Sequence, residues 1–444
     1  MPHQPAEATP RTAQRPTRVR DLVLVALALA MASAYLSRVA ISTAIAAIEK
    51  EFTAATGTMG FVMSGFFLGY LLMQLPGGWF GNRLGARIAL SWLSVSGSMC
   101  VVWSSLAESS WGLATSHFSL GMTQGALVPC SIKVLADWFP GARRGLASAV
   151  LGSSMSVGGA VASLLTAILL PLVGWRDVFR LYSVVGVVWA IAFYLWFRDR
   201  PREHAWTNQQ ERDLIGGDNV AGSIGPAPAH RGRTSGGAAQ ALATSLGVWL
   251  LCSQQFCRAF GYVFFVTWFP TYLRQAHGVS LLSTGLLTTA PLIGTVLGSL
   301  VGGWIVDALL KRTSDKRLSR SATAVIALAL CAAATLAAAW ARNPLAAVAV
   351  ISLGSFFAAI AGPAAWAVTI DISGPHTTMA AAVMNMAGNL GSFASPLVVG
   401  LVFSYIGTTG DWNLVLYLFA CNYLLGALFW LGLNPNRSAV AARS

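Results

Sequence analysis

Long apolar blocks, parted by short polar ones, run through almost the whole chain. Twelve such segments lie at about 22–48, 58–80, 86–106, 111–137, 145–172, 178–197, 243–272, 281–308, 321–340, 345–369, 377–406 and 413–433. A helix rising ~1.5 Å per residue needs about 20 apolar residues to cross a hydrocarbon layer of about 30 Å. The pattern therefore predicts an all-α polytopic membrane protein with twelve transmembrane helices. One long polar stretch interrupts the series, Arg198 to Gln240, rich in Gly, Ala, Pro and charge. It reads as a linker between two six-helix bundles, and its start, Arg198 to Glu211, is a candidate short surface helix. The expected layout is a tail (1–20), an N-terminal bundle (21–197), the linker (198–240), a C-terminal bundle (241–434) and a second tail (435–444).

Composition agrees. Of the 444 residues, 55% are hydrophobic and 10% charged, against about 25% charged in soluble domains. The basic start (Arg11, Arg15, Arg18, Arg20) runs into a span too long for a signal-peptide core, so no cleaved leader is expected. The net charge of +13 suggests nucleic acid until the charges are placed. With the N-terminus inside, the inside loops hold 21 Lys and Arg and the outside loops 5. The lipid bilayer explains that bias, nucleic acid is not a partner, and both termini are expected on the cytoplasmic side of a bacterial-type inner membrane. The six cysteines all fall in apolar segments without metal-ligand spacing, which excludes a disulfide framework or zinc site. With no nucleotide loop, catalytic triad or metal cluster, neither an enzyme nor a cofactor is expected, and a monomer suffices.

An internal repeat is visible. Pro76-Gly-Gly-Trp-Phe-Gly-Asn-Arg-Leu84 ends the second segment and Val301-Gly-Gly-Trp-Ile-Val-Asp-Ala-Leu309 the eighth, 225 residues later. Two parallel six-helix repeats place a ligand site between the halves, near the midplane.

Three cations remain inside the segments: Arg38, Lys133 and Arg258. Arg38 lies roughly 25 Å along the first helix. A guanidinium there costs at least ~2.5–3.5 kcal/mol unless a cavity or partner receives it. Lys133 is one turn from Asp137 and reads as an i,i+4 pair. Gln254, Arg258 and Tyr262 recur at i, i+4 and i+8, one polar stripe, although Arg258 also suits packing or a lipid phosphate. Asn385, Asn389 and Ser392 fall at i, i+4 and i+7 and either line a site or join helices. Asp137, Asp307 and Asp371 stand at segment ends, and no carboxylate lies mid-span. Two arginines without counter-ions select for anions, and guanidinium favours planar oxyanions.

Gly78-Trp-Phe-Gly-Asn82-Arg83-Leu-Gly85-Ala-Arg87 resembles the loop 2–3 signature of the major facilitator superfamily, with Asn82 where that pattern has Asp. Pro129 to Lys133 with Trp138-Phe-Pro140 and Arg143-Arg-Gly145, Thr267-Trp-Phe-Pro-Thr-Tyr-Leu273, and Asn385-x-x-x-Asn389-Leu-Gly391 with Pro396 narrow the resemblance to the anion:cation symporters. That family includes hexuronate, galactonate, tartrate and phthalate carriers. The resemblance implies the major facilitator fold and a secondary transporter of a small organic anion working by alternating access. Its members usually read Tyr-x-Asp-Arg on helix 1; here Tyr35-Leu-Ser37-Arg38 lacks the acid. Helix 4 usually carries an arginine and then a glutamate, and here stand His117 and Gln124. Sugar-acid carriers often have a glutamine where Met155 stands. The anion-binding Arg38 is kept, with Tyr35 as hydrogen-bond donor, while the usual proton carriers are missing. Helices 1 and 7 are pseudo-symmetry mates in such a fold, so Arg38 and Arg258 are expected across one cavity, similar in outline to organophosphate exchangers. His117 is either a packed core histidine or the group that takes a coupling proton. Proton-independent exchange or export, and a non-transporting receptor, are the alternative readings.

Overall fold

The computed structural model describes residues 15–53, 56–221, 244–373, 377–406 and 412–436, and these hold helices with no strand. The helices are α1 (Val19–Phe52), α2 (Thr56–Leu84), α3 (Ala86–Ser105), α4 (Ser110–Trp138), α5 (Gly141–Trp196), α6 (Gln209–Ala221), α7 (Leu246–Thr267), α8 (Phe269–His277), α9 (Leu281–Leu287), α10 (Thr289–Thr313), α11 (Thr323–Ala338), α12 (Pro344–Ser373), α13 (Thr377–Ile406) and α14 (Trp412–Gly432). Among the described residues nine helices are long and apolar enough to cross a membrane. One of them, α5, has 56 residues, about 84 Å of helix and too long for one crossing. Gly174 breaks it with φ 76° and ψ 165°, so its two arms carry the fifth and sixth segments. The more polar α4 and α7 make the arrangement consistent with twelve crossings. The seventh and eighth segments are each bent, α7 into α8 at Trp268 and α9 into α10 at Thr288, with Pro270 and Pro291 just beyond each bend.

The repeated Gly-Gly-Trp has one structural job in both halves. A Cβ on Gly77 would lie 2.5 Å from Ala126 Cα on α4, and one on Gly302 would lie 2.6 Å from the Ile360 carbonyl on α12. Only glycine lets α2 meet α4, and α10 meet α12, this closely. The mates match elsewhere: α5 touches α1 at Gly158 and Ala32, and α13 touches α7 at Gly391 and Phe256. The halves meet where α1 ends and α2 begins. There Gly57 and Gly60 press on the Gly400 and Pro396 carbonyls of α13, and Gly285 of α9 presses on Ser163 and Ala167 of α5. That face is closed.

At the opposite face, residues 198–221 pack onto the N-terminal half. Pro201–Glu203 form one tight turn, followed by α6, where a short surface helix was expected over 198–211. Glu211 of α6 is fully buried; its carboxylate accepts from Arg20 N at 3.1 Å and Val19 N at 3.3 Å. It thus caps α1 from another element, where orphan N–H groups and the positive helix end favour an anion. His204 sits among Trp138, Trp196 and Trp206, with ring centroids 5.1–5.7 Å away. Its Nδ1 accepts from Trp206 N at 3.2 Å, and burial pushes its pKa below the ordinary value.

The signature loop belongs to the same assembly. Gly85 holds φ 81°, Arg87 N donates to Asp199 Oδ1 at 2.9 Å, and Arg87 Nε donates to the Tyr194 carbonyl at 2.7 Å. The acid at this loop is therefore Asp199, distant in sequence. Arg83 is exposed in the last turn of α2; the side chain of Asn82 and the surroundings of Gly78 lie outside the description. Lys133 and Asp137 pair at 2.8 Å as their spacing predicts, and Asp371 pairs with Lys316 at 3.0 Å and with Arg320.

Candidate functional site

Arg38 lies in the interior of α1, half-buried, on the side facing α2. Its guanidinium lies over four rings, Tyr35 (4.9 Å), Phe66 (4.9 Å), Phe67 (4.7 Å) and Tyr70 (5.8 Å). Each such contact stabilises a cation by about 0.5–2 kcal/mol, more as water is excluded. Nη1 also donates to the Tyr35 hydroxyl at 3.2 Å. Nε is buried without a partner. The rings hold the charge in place without neutralising it, since no carboxylate among the described residues pairs with it. The close α2–α4 packing sets the cage: Gly121 of α4 abuts the backbone of Phe66, and Gly125 that of Tyr70.

A small cavity beside Arg38 is lined by Ser42, Met63, Phe66, Phe67, His117 and Thr267, among others. His117 and Ser42 are buried, and both His117 Nε2 and Ser42 Oγ lack partners. His117 Nδ1 lies 3.4 Å from Ser104 Oγ, which bonds in turn to Ser116 Oγ at 2.9 Å. The histidine therefore shares a cavity wall with Arg38.

Gln124 goes elsewhere. Its Nε2 donates to the Ala34 carbonyl at 3.0 Å, and it lines a separate cavity inside the N-terminal half, of about 20 Å³, with Ser33, Ser37, Ser94 and Ser98. Ser37 thus faces Gln124 rather than Arg38, although it is Arg38's neighbour in sequence.

On α7 the expected stripe divides. Gln254 is fully buried, accepting from Trp430 Nε1 at 3.1 Å and donating to the Leu251 carbonyl at 2.8 Å. The polar neighbour of Arg258 is Gln255, whose Oε1 accepts from Arg258 Nε at 3.1 Å. At i,i+3 this pair is as close on a helix as an i,i+4 pair, and the distant Trp430 decides which glutamine turns inward. Arg258 itself is half-buried and approaches Gly362 of α12. Tyr262 is half-buried and within electrostatic reach of Tyr35, Arg38 and Arg258 together. It shares an apolar cluster with Tyr35 around Val39 and Val266. Tyr262 therefore packs with Tyr35 one turn beyond Arg258 on α7. Asn389 of α13 donates to Gln74 Oε1 of α2, a contact across the halves. Asn385 is half-buried one turn earlier. Phe66, Phe67, Tyr70, Gln74 and Gln255 are site residues that the sequence did not single out.

Comparison with known proteins decides the family. Residues 27–312 and 251–443 match the Major Facilitator Superfamily. The chain belongs to that superfamily. A probable sulfoacetate transporter of Cupriavidus necator is 29% identical over 421 residues, covering 94% of each chain. A D-galactonate transporter of Escherichia coli is 28% identical over 95% of this chain and 97% of its own. A hexuronate transporter of Bacillus subtilis is 27% identical over 87% and 88%. These agree with the resemblance to the anion:cation symporters. Among solved structures, a bacterial homolog of the human lysosomal transporter Spinster, in an inward-facing and unoccupied conformation, superposes with a TM-score of 0.71 at 17% identity, over 93% of this chain and 94% of that one. Its fold is the major facilitator fold. In that fold the glycine seam where α1 ends is a closed contact between the two halves. Among the described residues no cluster of His, Cys, Asp or Glu is able to hold a metal ion.

Proposed function

We propose that this chain is a secondary transporter of a small organic anion, with Arg38 as the group that receives the carboxylate. The observation that carries this is the state of Arg38: charged, mid-membrane, caged by four rings, with Nε unpartnered and no acid beside it. A fixed guanidinium whose protein partners are rings and one phenol keeps its donor fork for a ligand. Tyr35, one turn away and already bonded to Nη1, supplies a second donor. Arg258 and Tyr262 offer oxyanion contacts from the other half, so one ligand would touch both halves and bias their movement. The organic-acid relatives support an anionic cargo. We place the protein in a cytoplasmic membrane, with both tails inside, from the Lys and Arg asymmetry. On that placement the closed seam faces outward. Coupling is assigned to His117, supported by its place in the Arg38 cavity wall. Purified protein in liposomes should accumulate or exchange a radiolabelled organic acid, and should lose this with Arg38→Ala. Binding without flux would identify a receptor on the same fold.

A further inference from the structure

We infer that one anionic glycerophospholipid binds the lipid-facing flank of the N-terminal half, its acyl chain in a groove between α3 and the second arm of α5 and its phosphate on Arg87. The groove is an open apolar cavity of about 340 Å³, lined by Ile88, Ser91, Trp92, Val95, Ile191 and Tyr194, among others. Ile88, Trp92, Ile191 and Tyr194 are each about half exposed, so this flank meets the bilayer directly. An apolar lining alone takes any hydrocarbon; the polar groups beside it select. Arg87, Ser91 and Val95 stand at i, i+4 and i+8 of α3, on one face, at steps of about 6 Å. From the signature loop inward that face offers a cation, then a hydroxyl, then hydrocarbon. A glycerophospholipid presents phosphate, then ester carbonyls, then an acyl chain, in the same order. Arg87 is held in position: its Nε donates to the Tyr194 carbonyl at 2.7 Å, and its guanidinium lies over the Tyr194 ring at 4.5 Å. Among the described residues its two Nη groups take no hydrogen-bond partner, which leaves the end of the fork for phosphate oxygens. Ser91 is 7% exposed and its hydroxyl has no partner, a costly state that an ester carbonyl in the groove relieves. The rim favours a net negative headgroup. Arg198 and Arg200 follow the end of α5, and Arg83 is exposed in the last turn of α2. Of the acids there, Asp199 accepts from Arg87 N at 2.9 Å and Glu203 lies 3.9 Å from Arg200.

The test is a lipid titration of the purified, delipidated protein, read by melting temperature. Dioleoyl-phosphatidylglycerol should raise it at lower concentration than dioleoyl-phosphatidylcholine, because a ligand of the folded state stabilises it by mass action. In Arg87→Gln the phosphatidylglycerol needed for half the shift should rise about ten-fold, the worth of one charge-assisted hydrogen bond, and come level with phosphatidylcholine. Val95→Trp fills the groove and leaves the Arg87 charge in place, and it should weaken both lipids. Lys311→Gln, at the corresponding end of α10 in the other half, should respond as the wild type does. Equal potency of the two lipids on the wild type would overturn the headgroup assignment. An undiminished response in Val95→Trp would overturn the groove. If Lys311→Gln loses as much as Arg87→Gln, the chain gathers anionic lipid by its net charge alone and the site is refuted.

Discussion

Asn389 of α13 donates a hydrogen bond to Gln74 of α2, joining the two halves in the body of the membrane below the glycine seam. An opening of the seam that parts α2 from α13 along their length would break this bond. A hydrogen bond contributes about 1 kcal/mol net, a factor of about five in the balance between closed and open forms. Asn389→Ala should shift that balance by about this much. Spin labels at the exposed Glu108 and Ala276, one on each half at that face, in a cysteine-free background, would report it as a rise in the long-distance population. An unchanged distribution would make the contact incidental.

The anchor is tested by charge-preserving replacement. Arg38→Lys retains the cation but loses the bidentate fork, and its ammonium does not stack flat on the rings. Affinity for the cargo should fall by about ten-fold or more with expression retained, and Arg38→Ala should fall further. Titration calorimetry on correctly inserted protein makes the comparison. Wild-type affinity in Arg38→Ala would remove Arg38 from the site.

Arg258 is tested by ligand charge. If it meets the second oxyanion, Arg258→Gln should weaken succinate by about ten-fold while leaving butyrate near its wild-type value. Equal losses would mean that Arg258, bonded to Gln255, serves packing. Succinate should also raise the melting temperature of the wild type, because a ligand of the folded state stabilises it by mass action.

Coupling is tested at His117. Should the histidine take a proton as the anion enters, the ligand's negative charge favours the protonated form. Uptake should then rise as external pH falls, and His117→Gln should flatten the dependence. Counterflow with and without a pH gradient gives the measurement. Accumulation that persists in His117→Gln would place the proton elsewhere.

Glu211 and His204 govern the linker contact. Glu211→Gln keeps the shape but weakens two charge-assisted caps, for a loss of about 2 kcal/mol. For His204 the sign is fixed by its depressed pKa. The unfolded chain takes up a proton first, so stability is full above the ordinary histidine value and declines as pH falls through it. Melting curves from pH 7.5 to 5 should show that decline, and His204→Gln should reduce its slope.

The sequence made Arg38 conspicuous because a guanidinium inside an apolar block has few physical explanations. Lys133 with Asp137 was legible for the same reason, being a local pair. The cage around Arg38 was not. Phe66, Phe67 and Tyr70 look like ordinary span residues until α2 is packed against α1, and that packing depends on glycines of α4. Asp199 was invisible as the partner of the signature loop, since it lies 112 residues from Arg87. The stripe on α7 misled because periodicity fixes a face to within one residue, whereas Gln254 and Gln255 are separated by the position of Trp430. His117 and Gln124, seven residues apart on one helix, part company: His117 lines the cavity beside Arg38, while Gln124 lines another with Ser37 inside the N-terminal half.

The cap that Glu211 places on α1 also makes the stretch after the sixth segment part of the foundation of the site. The first N–H groups of the helix that bears Arg38 are held by α6, so trimming between 198 and 221 should loosen the footing of Arg38 rather than merely shorten a loop.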